Sequence, residues 1–430
     1  MLNQIRHFMD YHIRYSPIYK KKLKEVLSQK EMSNAEQLEI QNQKFLQLFD
    51  VAISKSTFYQ KLYAEYGVGK HDIKSVEDIS KLPVITKSKI RDCIDDIYIG
   101  NPLLKAKGYT SGTSGSPLVI YRSYQSIVEE QASIWAWRSG FGYLPGLKTV
   151  SLRGDLGRDE MMRHDKVANV LYLSSYNIKK ENANWYYNQI KDFSPYAIIA
   201  YPSSVDNLAN ILLSIDKRLN VPYVFTASEM LYDNQRSKIS NAFQTQVFDR
   251  YGNAERTIAI EQRSDGSYYE SPCYSVNEYQ EDCTITTSLI DNSFPLIRYK
   301  VTDIIQPSKY TSTEDANRFK IDKIIGRDDD VLLMPDGTKV GRLDVVLKGI
   351  NHLEYAQFIQ EQPDSFILNL VVTPDFSAED EKKIVANLQY RLGGNMRYEL
   401  RKVKEEDIII SKSGKFKLVI NRIKELDLTL

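Results

Sequence analysis

The sequence predicts an α/β protein in two parts: a large α/β domain over 1–326, opened by a helical segment at 1–105, and a small α+β domain over 327–430. Three observations predict it. Short β-prone runs alternate with helical stretches from about residue 105 to 325, the pattern of βα units. At 430 residues the chain is longer than a single hydrophobic core usually serves. The texture also changes at Gly326-Arg-Asp-Asp-Asp330, an acidic break that precedes a self-contained run of strand and helix patterns.

The opening segment is charged and nearly free of glycine, and Gln37–Val51 spaces its apolar residues as an amphipathic helix does. Pro83, followed by Thr86-Lys87, closes that helical pattern, because proline disfavours helix at the residue before it. Strands are predicted at Thr149–Leu152, Tyr196–Ala200 and Tyr223–Thr226, with a helix at Asp233–Phe243. Ser264-Asp-Gly-Ser267 and Leu289-Ile-Asp-Asn292 read as hairpin turns between alternating strands. Beyond the acidic break, Pro335-Asp-Gly337 predicts another hairpin. Helix at Leu343–Leu353, strand at Phe366–Val372, helix at Ala378–Leu392 and strand at Tyr398–Val403 follow.

Composition removes several function classes. A net charge of +1 argues against nucleic-acid binding by bulk electrostatics. Three scattered cysteines (Cys93, Cys273, Cys283) make neither a disulfide framework nor a cysteine zinc ribbon, and no structural zinc is expected. Five scattered histidines offer no paired metal or triad spacing. No apolar run is long enough for a membrane span, and the start lacks a signal-like apolar region, so a cytoplasmic protein is expected.

The most informative stretch is Tyr109-Thr-Ser-Gly-Thr-Ser-Gly-Ser-Pro-Leu118. Its glycines and hydroxyl residues make a loop dense in N–H and O–H donors, able to wrap polyphosphate oxygens without adding bulk. It lacks the Lys-Ser/Thr of a Walker loop. Downstream lie Tyr251-Gly-Asn-Ala-Glu255, Pro295-Leu-Ile-Arg-Tyr-Lys-Val-Thr-Asp303, Gly326-Arg-Asp-Asp-Asp330 and Ser413-Gly-Lys415. In this order the motifs resemble the adenylate-forming superfamily of acyl-CoA synthetases and adenylation domains, closest to the phenylacetate–CoA ligase branch and its CapK-like members. Ser56-Thr-Phe-Tyr-Gln-Lys61 and Ile79-Ser-Lys-Leu-Pro-Val-Ile-Thr-Lys87 resemble the opening segment of that branch, so the likeness covers nearly the whole chain.

The resemblance implies a set of roles. Thr110, Ser111, Gly112, Thr113, Ser114 and Gly115 would hold the ATP phosphates. Glu255 would bind Mg²⁺, a hard cation that takes carboxylate oxygen. Ser228, Glu229, Tyr251 and Gly252 would flank adenine, and Asp303 would accept from both ribose hydroxyls. Arg327 would offer a planar donor fork to ribose or phosphate, Asp329 would be the hinge that makes the small domain mobile, and Lys415 would reach in from that domain to the reacting carboxylate and α-phosphate. Trp135, Arg153 and Tyr201 would line the pocket for the acid or its acceptor; Arg153 also reads as a surface arginine at a strand end.

The activity so implied is Mg·ATP-dependent activation of a small carboxylic acid as an acyl-adenylate, then transfer to a thiol or amine (CoA, a carrier protein or a sugar amine), in capsular polysaccharide or related biosynthesis. A monomer or homodimer is expected. Two alternatives stay open: a nucleotidyltransferase that places AMP on a cofactor, and a degenerate nucleotide-binding scaffold of a polysaccharide locus.

Overall fold

The structure, a computed structural model, describes residues 16–102, 105–109, 118–157, 159–281, 283–325, 331–340, 343–347, 349–350, 352–394, 396–409 and 418–423. The opening segment is helical: α1 (Pro17–Lys30), α2 (Asn34–Lys55), α3 (Thr57–Glu65) and the short α4 (Lys87–Asp92) and α5 (Ile94–Ile97). Serine starts the three longer helices: Ser16, Ser33 and Ser56 each accept a backbone N–H of the first turn, and Glu36 completes a capping box with Ser33.

A hairpin follows, β1 (Ala106–Tyr109) with β2 (Val119–Arg122), and then α6 (Tyr124–Ser139). The strands β3 (Thr149–Leu152), β4 (Met162–Asp165), β5 (Val170–Leu173), β6 (Ala197–Ala200), β7 (Tyr223–Ala227) and β8 (Gln246–Gly252) come next, with helices α7 (Ala183–Phe193), α8 (Pro202–Ser214) and α9 (Asp233–Phe243) between the later ones. β9 (Ala259–Gln262) and β10 (Tyr268–Glu270) form the hairpin expected at Ser264–Ser267. β11 (Ser275–Tyr279), β12 (Thr284–Ser288) and β13 (Tyr299–Val301) make a separate three-stranded sheet, and β14 (Ile304–Pro307) and β15 (Lys320–Ile325) return to the main one. Leu289–Asn292 is not a tight turn. It opens a connection from Ser288 to Tyr299, in which Asp291 Oδ1 accepts the backbone N–H groups of Ser293 and Phe294.

The main sheet has ten strands in the order β14-β15-β10-β9-β8-β7-β6-β3-β5-β4. Its centre, β8-β7-β6-β3-β5, is parallel. Parallel strands need both faces covered, and the period-two alternation supplies both. Ile198, Val224 and Val247 pack under α7, α8 and α9, while Ala197, Phe225 and Phe248 face α1 and α6 through Tyr19, Val128 and Trp137. The opening helices bury Phe45, Phe49, Tyr59 and Tyr63 against the hairpin and the three-stranded sheet. Arg298 fastens this contact with a two-pronged hydrogen bond to Glu278 and donors to the Ser80 and Leu82 carbonyls.

The C-terminal part has the hairpin β16 (Leu332–Leu333) with β17 (Lys339–Val340), then a four-stranded sheet, β20-β19-β18-β21, backed by α10 (Ala378–Leu392). The strands are β18 (Leu353–Gln362), β19 (Ser365–Val372), β20 (Arg397–Lys402) and β21 (Val419–Asn421). The helix expected over Leu343–Leu353 is instead a single 3₁₀ turn, Leu343–Leu347, and Leu353 begins a ten-residue strand. Gly349, at φ +81°, sets a left-handed step where the helix pattern would have continued. The domain boundary expected at Arg327 lies outside the described residues. Among those described, no helix is long and apolar enough to cross a membrane.

Candidate active site

A parallel sheet points its backbone toward one crevice, outside the carboxyl ends of the strands and at the strand where chain order reverses. Here the reversal is at β3, which has β5 on one side and β6 on the other. The expected site residues follow those carboxyl ends: Arg153 after β3, Tyr201 after β6, Ser228 and Glu229 after β7, and Tyr251 and Gly252 closing β8.

Each is fixed locally. Ser228 has φ +75°, a left-handed conformation unusual for a residue with a Cβ, of the kind that clusters at ligand sites. It turns the chain so that Glu229 Oε2 accepts the Ser203 N–H at 2.9 Å, in the first turn of α8. Arg153 lies over the Tyr201 ring, 5.5 Å from its centroid. Tyr251 Oη donates to Asp303 Oδ2 at 2.6 Å, bringing together two residues 52 apart in sequence. Thr284 holds the Asp303 carbonyl from the other side at 2.9 Å.

The turn after β8 is braced by Asn253, whose Oδ1 accepts from Thr257 N at 2.9 Å and whose Nδ2 donates to Thr257 Oγ1 at 2.7 Å. A Cβ at Gly252 would stand 3.2 Å from the Ile258 carbonyl oxygen, so the turn is tight. Glu255 projects from it, and its Oε1 accepts from Tyr299 Oη at 2.8 Å. Arg122, at the end of β2, donates from Nη2 to the Ala254 carbonyl at 2.7 Å. Burial first, and the neighbouring Arg256 second, push the Arg122 guanidinium down to about 10.

Charges are buried beneath Tyr251. Arg250 Nη1 donates to Glu130 Oε1 at 3.1 Å and its Nε lies 3.5 Å from Glu261 Oε1, while Tyr274 Oη bonds the other Glu130 oxygen. Burial would raise the Glu130 carboxyl, but Arg250 and Arg256 outweigh it and hold it below the usual carboxylate range. Asp249 is different. Burial pushes it up to about 6 against the Thr226 and Tyr268 hydroxyls that donate to it.

Trp135 is not brought to the crevice. It lies in the aromatic core on α6, 6% exposed, with its ring 5.0 Å from Tyr143. Cys273 and Cys283 are also core residues; burial raises the Cys273 thiol to about 11, and its Sγ donates to the Gln37 carbonyl. Thr110–Gly115, Arg327, Asp329 and Lys415 lie outside the described residues, though the ends of two of their segments do not. Tyr109 pairs with Val119 across the hairpin. In the C-terminal sheet, the wholly buried Gln357 pairs its amide both ways with Ile409, donating to the carbonyl at 2.8 Å and accepting the N–H at 3.0 Å. Next to it, Phe358 N donates to the Leu418 carbonyl at 2.8 Å. Gln360, also wholly buried, pairs with both backbone groups of Leu333. Arg122, Arg250, Arg256 and Glu130 had no motif to announce them, since only the fold brings them together.

A crevice with an aromatic hydroxyl bonded to a carboxylate, and a loop-bearing hairpin beside it, suits a nucleotide. Residues 332–422 match the CapK C-terminal domain family. The chain is 26% identical to Protein CapK of Staphylococcus aureus over 411 residues, covering 90% of this chain and 89% of that protein. It is 24% identical to the phenylacetate–coenzyme A ligase of Pseudomonas putida over 309 residues, covering 64% of this chain and 67% of that one. A solved structure of 2-hydroxyisobutyryl-CoA ligase, with 2-HIB-AMP and CoA, shares the fold at TM-score 0.60 and 17% identity, covering 93% of both chains. The fold is that of the adenylate-forming ligases. In sequence the chain is similar to Protein CapK along nearly all of its length.

Proposed function

We propose that the chain is a Mg·ATP-dependent ligase that activates a small carboxylic acid as an acyl-adenylate and passes the acyl group to a thiol or amine. The observation that carries this reading is the Tyr251–Asp303 hydrogen bond at the mouth of the parallel sheet. It sets an aromatic face beside an acceptor-only carboxylate, the pair a base and a ribose diol require.

In the first half-reaction a carboxylate oxygen of the acid bonds to the α-phosphorus. The bond from that phosphorus to the bridging oxygen breaks, and pyrophosphate leaves with the electron pair. The chain's share is placement and charge. Ser228 and Glu229 border the base, Asp303 takes the ribose, and the 110–117 loop takes the phosphates. Arg153 and Tyr201 border the acid.

Glu255 fits Mg²⁺: it is a part-buried carboxylate already oriented by Tyr299. Mg²⁺ is commonly bound by one or two carboxylates plus substrate phosphates, and there it would neutralise phosphate charge. Arg327 and Lys415 would join from the C-terminal part, which turns about Asp329 so that Lys415 serves adenylation and then withdraws for the acceptor. The named likenesses to CoA ligases favour a thiol acceptor, and the name of Protein CapK suggests a place in capsular polysaccharide biosynthesis.

The test is ATP–pyrophosphate exchange across a panel of acids. Exchange should depend on one class of acid, and Asp303→Ala should weaken ATP binding by about 1.5–3 kcal/mol, the range for hydrogen bonds to a charged group. Unaltered ATP affinity in a folded Asp303→Ala protein would remove the ribose role, and no exchange with any acid would remove the ligase.

A further inference from the structure

The loop proposed to hold the ATP phosphates carries no cation: between Lys107 and Arg122 the sequence has neither lysine nor arginine. Leu118, at its exit, is 1% exposed in the core. Backbone N–H and hydroxyl donors can shape a cradle, but a departing pyrophosphate gathers several negative charges, and fixed cations stabilise it best where water is excluded.

The fold brings two guanidiniums to the foot of this hairpin. Arg122 lies flat on Gly108, where a Cβ would come within 2.6 Å of the Arg122 Cζ. Its Nη2 holds the Ala254 carbonyl, so it ties the hairpin to the turn that bears Glu255. Arg256 is the next residue on that turn, and its backbone sits at φ +58°, where a side-chain-bearing residue is disfavoured. The conformation is held from both ends: Arg256 N donates to the Asn253 carbonyl at 3.2 Å, and Ser288 Oγ donates to the Arg256 carbonyl at 2.9 Å.

The strained backbone aims a side chain whose charge helps to keep Glu130 ionised but which has few direct partners among the described residues. Among the described residues the Arg256 guanidinium makes one hydrogen bond, to the Ser126 hydroxyl at 3.3 Å, and no ion pair. The nearby carboxylates are already engaged, Glu130 by Arg250 and Tyr274, Glu255 by Tyr299. Two like charges, neither of them in an ion pair among the described residues, form a site for an anion.

We propose that Arg256 is a further catalytic residue, which contacts the β- and γ-phosphates and stabilises pyrophosphate as it leaves, with Arg122 as its positioning residue. This rests on the adenylation reading above. It assigns the cation that the 110–117 loop lacks to a different element, the turn after β8.

Calorimetry on the intact chain, with inorganic pyrophosphate, ATP and AMP as separate probes, tests it. Arg256→Gln should weaken pyrophosphate and ATP binding about 10- to 100-fold, the worth of a charge-assisted hydrogen bond. AMP affinity should be unchanged, because AMP has no β- or γ-phosphate. The variant should also lose about 10²-fold in exchange rate, and Arg256→Lys, which keeps the charge without the fork, should recover part of both. Unchanged pyrophosphate and ATP affinity in Arg256→Gln overturns the assignment. Equal losses for AMP and ATP in both variants do so too, since they would mark a structural role. If the wild-type chain binds pyrophosphate through Arg256 yet no acid supports exchange, the phosphate site stands and the ligase reading falls. If it binds none of the three probes, both fall.

Discussion

Beneath Tyr251 the large part of the molecule buries charges, whereas the C-terminal sheet buries the carboxamides of Gln357 and Gln360. Glu130, Arg250 and Glu261 neutralise one another across α6, β8 and β9, with Tyr274 and Lys30 at the margins. Gln357 and Gln360 each satisfy a backbone N–H and a backbone C=O with one side chain. Both arrangements pin a segment next to proposed site residues. The first depends on every partner being present and ionised; the second has nothing to ionise. A charged brace also places field where a nucleotide is proposed to bind, and a neutral one adds none. Charge is thus kept in the part proposed to hold ATP, and neutral hydrogen bonding in the part proposed to move.

The hardest blow to this comparison is Arg250→Met. It strands Glu130 and Glu261 in the interior, and removing one partner of a buried ion pair costs about 3–5 kcal/mol. Urea denaturation should show that loss, with part of it recovered when Glu130→Gln is added. A loss under 1 kcal/mol would mean water already screens the network.

A second effect, of the same order, separates the two parts by pH. Asp249 titrates near 6 in the fold, above the ~3.9 of an unfolded aspartate, so the native state binds the extra proton. Stability should therefore fall as pH rises from about 4 to 6, by up to about 3 kcal/mol for a shift of this size. Asp249→Asn should flatten that slope and exceed the wild type in stability at pH 7; an unchanged slope would assign it to other groups.

The smallest effect is on the neutral side. Gln357→Leu leaves the Ile409 N–H and C=O without their partner, at about 1–3 kcal/mol. Hydrogen exchange should show the loss in β18 and at Ile409, equally at pH 5 and pH 8. A pH-dependent loss would break the contrast.

The contrast also explains what could be read from the sequence. Asp233–Phe243 and Ala378–Leu392 were legible as helices because apolar spacing and, in the second, the Ser377–Asp380 capping box agree. β18 was not. Its Gln357 and Gln360 sit where a half-buried strand would show apolar residues, and the spacing of Leu343, Val346, Leu347 and Ile350 extends a helical pattern to its edge. The glutamines that hid the strand are the ones that make it useful. At the site, Tyr251, Glu255 and Asp303 were legible through ordered motifs, though their roles rest on the reading proposed above. Trp135 was read as a pocket residue, and the fold keeps it in the core. Arg122 and Arg256 belong to no motif, since they are 134 residues apart and only the tie from Arg122 to Ala254 relates them.

Gln357 and Phe358 are neighbours, and between them they hold Ile409 and Leu418, the two ends of the 410–417 segment. To chain entropy that segment is a closed ring, and the cost of closing a ring grows only with the logarithm of its length, about 0.6 kcal/mol per doubling. Adding or deleting a residue or two there would change stability by tenths of a kcal/mol. The same change would shift Lys415 along the contour by about 3.3–3.6 Å per residue. The closure cost is therefore nearly blind to the number of residues between those two anchors, and under the role proposed for Lys415 its reach is the ruler that sets that number.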